Sequence, residues 1–133
     1  MDSKKVRIGN YVYAFKTTWQ IDGTDFSDGG GEDSKISTYK PISLTEEWHN
    51  KFGVEKNGFG NFEYDICPFG RKSKVFIFSG DYLYLRDMSG KYRSEDDIIT
   101  IWNKDIKKEF YVHEWQNLYF ALTGNELIVN TND

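Results

Sequence analysis

Two groups of residues in this chain have the types and spacing to do chemistry. The first is acidic. Asp22, Asp25 and Asp28, followed by Glu32 and Asp33, crowd a stretch that also holds Gly23, Gly29, Gly30 and Gly31. Hard cations such as Ca²⁺ gather about six to eight oxygen ligands from loops of this kind. The carboxylates miss the alternation of an EF-hand loop, and the glycine–aspartate nonapeptide of calcium-binding β-rolls is missing too. Asp22, Asp25 and Asp28 are the residues a cation would use. A solvated loop whose charges keep it in water is the preferred reading, and no metal or cofactor is expected.

The second group is nucleophilic. His49 and His113 are the two imidazoles and Cys67 the one thiol. A Cys–His pair needs a base in reach and a third group to orient the ring. Cys67-Pro68-Phe69-Gly70 reads instead as a strand end entering a turn, where a lone cysteine is a small buried hydrophobe. His113 opens a helix, where it caps or packs. No catalytic constellation emerges, so the chain is expected not to be an enzyme.

Binding chemistry fares better. Arg71, Lys72 and Lys74 form one basic cluster, and Lys104 with Lys107 and Lys108 a second. Tyr82, Tyr84, Tyr92 and Trp102 lie close by in sequence. Brought to one sheet edge, these residues would form a stacking platform for single-stranded nucleic acid, or an anchor for a protein. Two facts pull against nucleic acid. The net charge is −4, whereas phosphate-binding surfaces carry a basic excess. Lysines in turns also serve simply to discourage edge-to-edge pairing. The stretch Asn57-Gly58-Phe59-Gly60-Asn61-Phe62-Glu63-Tyr64 resembles an RNA-recognition strand only faintly, with Asn61 where a stacking aromatic belongs. A glycine turn entering an ordinary strand explains it better.

The elements that must position these residues follow from hydrophobic period. Tyr11, Tyr13 and Phe15 alternate with Val12 and Ala14, a strand that breaks near Lys16 into a hairpin with 17–21. Short strands are expected over 36–39, from Phe62 to Ile66, over 75–78, over 82–86, over 98–102 and over 106–110, with an edge strand at 127–129. Ser79-Gly80-Asp81 and Ser89-Gly90-Lys91 read as tight turns. Ser43 or Thr45 can cap a helix over about 45–52, Ser43 with Glu46 having capping-box spacing, with Leu44, Trp48 and Phe52 on one face and Gly53 as its stop. A second helix, about 112–123, carries Val112, Trp115, Leu118, Tyr119 and Leu122 as an apolar stripe, and Gly124 ends it. The expected fold is α+β: a mostly antiparallel, curled sheet with both helices packed on it.

At 133 residues the chain has the length of a single domain, 1–133. Four Trp, nine Tyr and ten Phe make 17% of it aromatic, which provides a core and argues against disorder. One cysteine excludes an intrachain disulfide and suits a reducing compartment. The start, Met1-Asp2-Ser3-Lys4-Lys5, lacks an apolar signal core, and no apolar run approaches membrane-spanning length. A cytoplasmic protein that does not engage a membrane is expected.

Three segments together resemble an uncharacterised family of small proteins encoded by phages and integrated elements of bacteroidete bacteria. They are Val6-Arg7-Ile8-Gly9-Asn10-Tyr11-Val12, then Lys40-Pro41-Ile42-Ser43-Leu44-Thr45-Glu46-Glu47-Trp48 continuing to Lys51-Phe52-Gly53, and finally residues 111–127, Tyr111-Val112-His113-Glu114-Trp115-Gln116-Asn117 onward. The resemblance covers about a third of the chain and is most specific in the last segment. It implies a phage or mobile-element origin in a bacterial host cell, and no reaction. The expected function is therefore that of an accessory protein acting as a non-enzymatic interaction module through protein–protein contact, with a host or phage protein as partner. A single-stranded nucleic-acid-binding module and a small-ligand-sequestering protein are the alternatives. The aromatic surplus and the N-terminal hairpin with its acidic loop would be the natural interface.

Overall fold

The computed structural model describes residues 1–28, 34–65, 74–87 and 98–129. Cys67, Arg71, Lys72, Tyr92, the turn at 89–91 and residues 29–33 of the acidic loop lie outside the described residues. The α+β class holds, with antiparallel strands divided between a two-stranded and a four-stranded sheet. Contacts gather the chain into two compact units, Met1–Leu44 with Phe110–Leu127 and Thr45–Glu109 with Ile128–Asp133.

The first unit is built on a hairpin. Strand β1 (Tyr11–Ala14) pairs antiparallel with β2 (Thr17–Gln20), in a register that sets Val12 opposite Trp19. The two-residue turn is Phe15-Lys16, and both residues have positive φ, 54° and 65°. That geometry matches the twist of a tight hairpin but strains residues that carry a Cβ. Val12, Ala14, Ile21, Ile36 and Tyr39 are buried together with Val6.

Helix α2 (Val112–Thr123) packs on β1. Its expected bounds are met at both ends. Glu114 accepts from the Tyr111 N–H at 3.1 Å, and Gly124, at φ 75°, donates its N–H to the Phe120 carbonyl at 2.8 Å. The buried face differs from the expected stripe. Val112 and Trp115 are buried, but His113 and Gln116 join them, whereas Leu122 is 51% exposed.

Polar groups account for that rotation. Gln116 accepts from the Tyr11 N–H at 2.8 Å and donates to the Gly9 carbonyl at 3.0 Å. Asn10 accepts from the Arg7 N–H at 2.8 Å and donates to Asn117, which in turn donates to the Lys5 carbonyl at 3.1 Å. Arg7 forks onto the Glu126 carboxylate, donates to the Gln116 carbonyl and lies 4.5 Å from the Phe120 ring centroid. The helix is thus latched to the strand-entry backbone by buried amides. Residues 40–44 complete this unit: Lys40 bridges Tyr13, Ser43 bridges Tyr111, and the Ile42 carbonyl accepts from the Val112 N–H at 2.8 Å.

The second unit holds helix α1 (Glu46–Lys51) and the sheet β3-β4-β5-β6: Phe62–Asp65, Lys74–Ser79, Tyr82–Asp87 and Ile98–Asn103. All neighbours are antiparallel, and β4 and β5 turn at Gly80-Asp81 as expected. His49 of α1 stacks on Phe62 with centroids 4.2 Å apart and meets Phe78 at 4.6 Å. Of the two expected caps, Thr45 is the N-cap residue of α1 but makes no side-chain cap bond, and Ser43 lies in the bridge to Tyr111 instead. Glu46 pairs with Lys56 and Glu47 with Lys51.

Three expected strands are not formed. Residues 35–38 make a 3-10 turn, because hydroxyls bind local backbone: Ser37 donates to the Ser34 carbonyl and Thr38 to the Lys35 carbonyl, each at 2.6 Å. Residues 106–110 do not extend, since the Asn103 carboxamide accepts from the Asp105 and Ile106 N–H groups at 2.9 Å and closes a turn. At 127–129 there is no strand; Leu127 is buried and Ile128 is 78% exposed.

The latch predicts a specific cost. Gln116→Leu keeps the volume but withdraws the acceptor from the Tyr11 N–H and the donor from the Gly9 carbonyl, so urea denaturation should show a loss of about 2–4 kcal/mol. A loss below about 0.5 kcal/mol would mean that the amide is not a fastening at all.

Candidate functional site

In the four-stranded sheet, strand period decides what faces what. Phe62, Tyr64, Phe76, Phe78 and Leu83 are buried on one side, the side on which His49 stacks. Register places Ile77 beside Tyr84, and Ser79 beside Tyr82, on the other side. Arg86 follows at the same parity on β5 and pairs with Ile98 on β6. These residues are intermediate or exposed.

Tyr82 and Tyr84 stack with centroids 5.7 Å apart and ring planes 10° from parallel. Beside them is a cleft of about 160 Å³, lined by Asn61, Ile77, Ser79, Tyr84, Arg86 and Ile98. Arg86 is the unusual member. Its Nε is withdrawn from solvent with no hydrogen-bond partner, and among the described residues it has no ion pair. Arg7, whose Nε is likewise buried, spends its terminal nitrogens on Glu126 and Gln116. Among the described residues the Arg86 cation is thus uncompensated at an apolar cleft, an arrangement with a desolvation cost.

Next to this cleft in sequence, Asn57 holds a tight turn. Its side chain accepts from the Phe59 N–H at 2.9 Å and the Asn61 N–H at 3.0 Å. The turn leaves Phe59 90% exposed. Phe62 and Tyr64, two of the three aromatics of the faint RNA-recognition pattern, are buried and unable to stack bases.

The expected binding residues are only partly brought together. Tyr82 and Tyr84 share a side. Trp102 does not: a bulge between Leu83 and Tyr84 shifts the β6 register, so Trp102 pairs with Leu83 on the opposite side, its indole donating to the Lys107 carbonyl at 2.9 Å. Lys74, at the parity of Phe76, also falls on that opposite side and is exposed. Of the second basic cluster, Lys104 is paired with Asp81 at 2.8 Å. Arg86 was visible in the sequence as the third residue of the Tyr82–Tyr84 alternation. Asn61, Ile77 and Ile98 reach the cleft only through pairing and turn geometry that no local pattern encodes.

The acidic candidates are used within the first unit. Asp22 accepts from the Thr24 N–H and hydroxyl, and Asp28 from the Lys35 N–H at 2.9 Å. Asp25 is buried; it accepts from the Tyr39 hydroxyl, the Asp22 N–H at 2.8 Å and the Trp19 indole at 3.2 Å. Burial alone would raise its carboxyl pKa, but these donors, with Lys35, hold it below the ordinary value. Burial and Asp25 together push the Tyr39 hydroxyl upward. Among the described residues no three His, Cys, Asp or Glu side chains converge to hold a metal ion.

His49 is buried, with Nδ1 2.7 Å from the Tyr64 hydroxyl. Desolvation lowers its pKa from 6.5 to about 4. His113 is buried and stacks on Tyr111 with centroids 5.9 Å apart. Both imidazoles therefore pack.

No protein-family model matches the chain, and neither a curated protein nor a solved structure does. No helix among the described residues is long and apolar enough to cross a membrane.

His49 makes stability depend on pH in a definite sense. The folded imidazole stays neutral down to about pH 4, whereas the unfolded one takes a proton below about 6.5. Its contribution is whole above pH 6.5 and is lost as pH falls toward 4, on the order of 3 kcal/mol in all. Denaturation at stepped pH should give His49→Phe a flatter profile than the parent over that window; parallel profiles would refute the assignment.

Proposed function

We propose that the chain is a non-enzymatic interaction module that works by protein–protein contact through the Tyr82–Tyr84–Arg86 side of its four-stranded sheet. One observation carries the reading. Two tyrosines stacked in parallel stand in line with an arginine that has no ion pair among the described residues. Tyrosine and arginine dominate binding hot spots, because they bring large contact area and directed donors at small entropic cost. The stacking fixes the rings before a partner arrives, which lowers the ordering cost of association. Phe59, held out by the Asn57 turn two residues before Asn61 of the cleft, adds an exposed aromatic anchor in the same unit. The N-terminal hairpin, the interface expected from sequence, is a poorer candidate: the carboxylates of Asp22, Asp25 and Asp28 are engaged in internal bonds.

The segments at 6–12, 40–53 and 111–127 support an accessory role in a phage or mobile element, by resemblance. A cytoplasmic setting in a bacterial host accompanies that origin. Single-stranded nucleic acid is the lesser reading, since Trp102 and Lys74 lie on the other side of the sheet and the net charge is −4.

Tagged protein exposed to an extract of its natural host should retain one protein in stoichiometric amount. The double variant Tyr82→Ala/Tyr84→Ala, with its melting temperature checked, should hold that partner at least about tenfold more weakly, a difference of about 1.4 kcal/mol. Retaining nothing, or retaining it equally in the double variant, refutes the reading. A salt-sensitive mobility shift of a single-stranded oligonucleotide, lost in the same variant, would transfer the function to nucleic acid.

A further inference from the structure

We infer that the Arg86 cleft is a binding site for a small organic acid: one carboxylate carried on a single flat or branched apolar group. The inference uses the face described above but does not need a protein partner, because the site is complete within the chain.

The cation comes first. A guanidinium is charged at every accessible pH and presents its donors as a rigid fork matched to two carboxylate oxygens. Arg86 has this fork at the cleft wall while its Nε is shut away from water without an acceptor. A buried donor of a charged group that lacks a partner costs the fold the desolvation of that group. A carboxylate in the cleft would instead meet the terminal nitrogens of the guanidinium and compensate its charge, while Nε stays covered. No side chain among the described residues does so.

The walls then say what the carboxylate is attached to. Ile77 and Ile98 are aliphatic, and the Tyr84 ring is held in place by its stack with Tyr82. The remaining liners, Asn61 and Ser79, are small and neutral, able to orient a ligand but not to attract a second charge. The volume sets the size. At about 160 Å³, the cleft has room for one ring, since a dry cavity of about 150 Å³ accepts benzene. A nucleotide, with base, sugar and phosphate, is too large. An inorganic anion would fill the fork but leave the apolar walls wet. Benzoate has the charge, shape and size that fit.

The test uses the full chain and benzoate, followed by calorimetry and by NMR of the isoleucine methyls and tyrosine rings. Saturable binding is expected, with Kd on the order of 1 mM or tighter, and with Ile77, Tyr84 and Ile98 shifting together. Benzyl alcohol, the neutral isostere, should bind at least about tenfold more weakly, and Arg86→Gln should lose benzoate by a similar factor. Ile98→Trp, which keeps the cation and fills the cleft, should also lose it, and decides the matter if Arg86→Gln does not fold. Several results overturn the inference: no saturable benzoate binding, equal binding of benzyl alcohol, unchanged binding in a folded Arg86→Gln or in Ile98→Trp, or tighter binding of inorganic phosphate than of benzoate. Each is read on the isolated chain, so it stands apart from whether a partner protein is captured.

Discussion

The pairing of β4 with β5 is the constraint from which the second unit takes its character. Ile77 lies opposite Tyr84 and Phe78 opposite Leu83, closed by a turn at Gly80-Asp81. A slip of one residue would turn Leu83, now buried completely, into solvent and drive Tyr84 and Arg86 toward the aromatic interior. The core cannot take a guanidinium, so the register is held by what it excludes as much as by what it buries. That same exclusion lines up two phenols and a cation on the remaining side. The surface proposed for binding is thus a by-product of a packing rule.

The first unit is held differently. Its interior is aromatic and aliphatic, yet its long-range order rests on amides: Asn10, Gln116 and Asn117 connect the chain before β1 to the middle of α2. Amides have fixed donor and acceptor positions, so they specify one rotation of the helix where an apolar stripe would tolerate several. This is why α2 buries Gln116 and leaves Leu122 half in water. Residues 6–12, 40–44 and 111–127 meet in this unit through Arg7–Glu126, Asn10–Asn117 and Ile42–Val112.

Legibility in sequence followed the range of the interactions concerned. The hairpin break at Lys16, the stop at Gly124 and the β4–β5 turn are each set by neighbours a few residues away, and each was readable. The strand expected over 36–39 failed for an equally local reason: β-branched and aromatic residues suggested extension, but the two hydroxyls of Ser37 and Thr38 could satisfy the backbone more cheaply in a tight turn. Trp102 went to the wrong side because a bulge inverts parity without leaving any mark in composition. For the candidate site, the alternation of Tyr82, Tyr84 and Arg86 was visible, whereas the cleft needed Asn61, Ile77 and Ile98, contributed by other strands and a turn. Pairing of that sort is a property of the folded chain.

The turn at Phe15-Lys16 has an effect beyond closing a hairpin. Glycine or asparagine would sit at those positive φ values with less strain. The Phe15 ring, however, lies edge-on to Trp19 at 4.9 Å and to Tyr39 at 5.8 Å, the two side chains that donate to Asp25. The tip thereby serves as a shutter over the buried Asp25 carboxylate. Relaxing the loop into its most comfortable shape would remove the shutter, and the anion beneath would draw in water; comfort at the tip and dryness below are alternatives, and this chain has taken dryness.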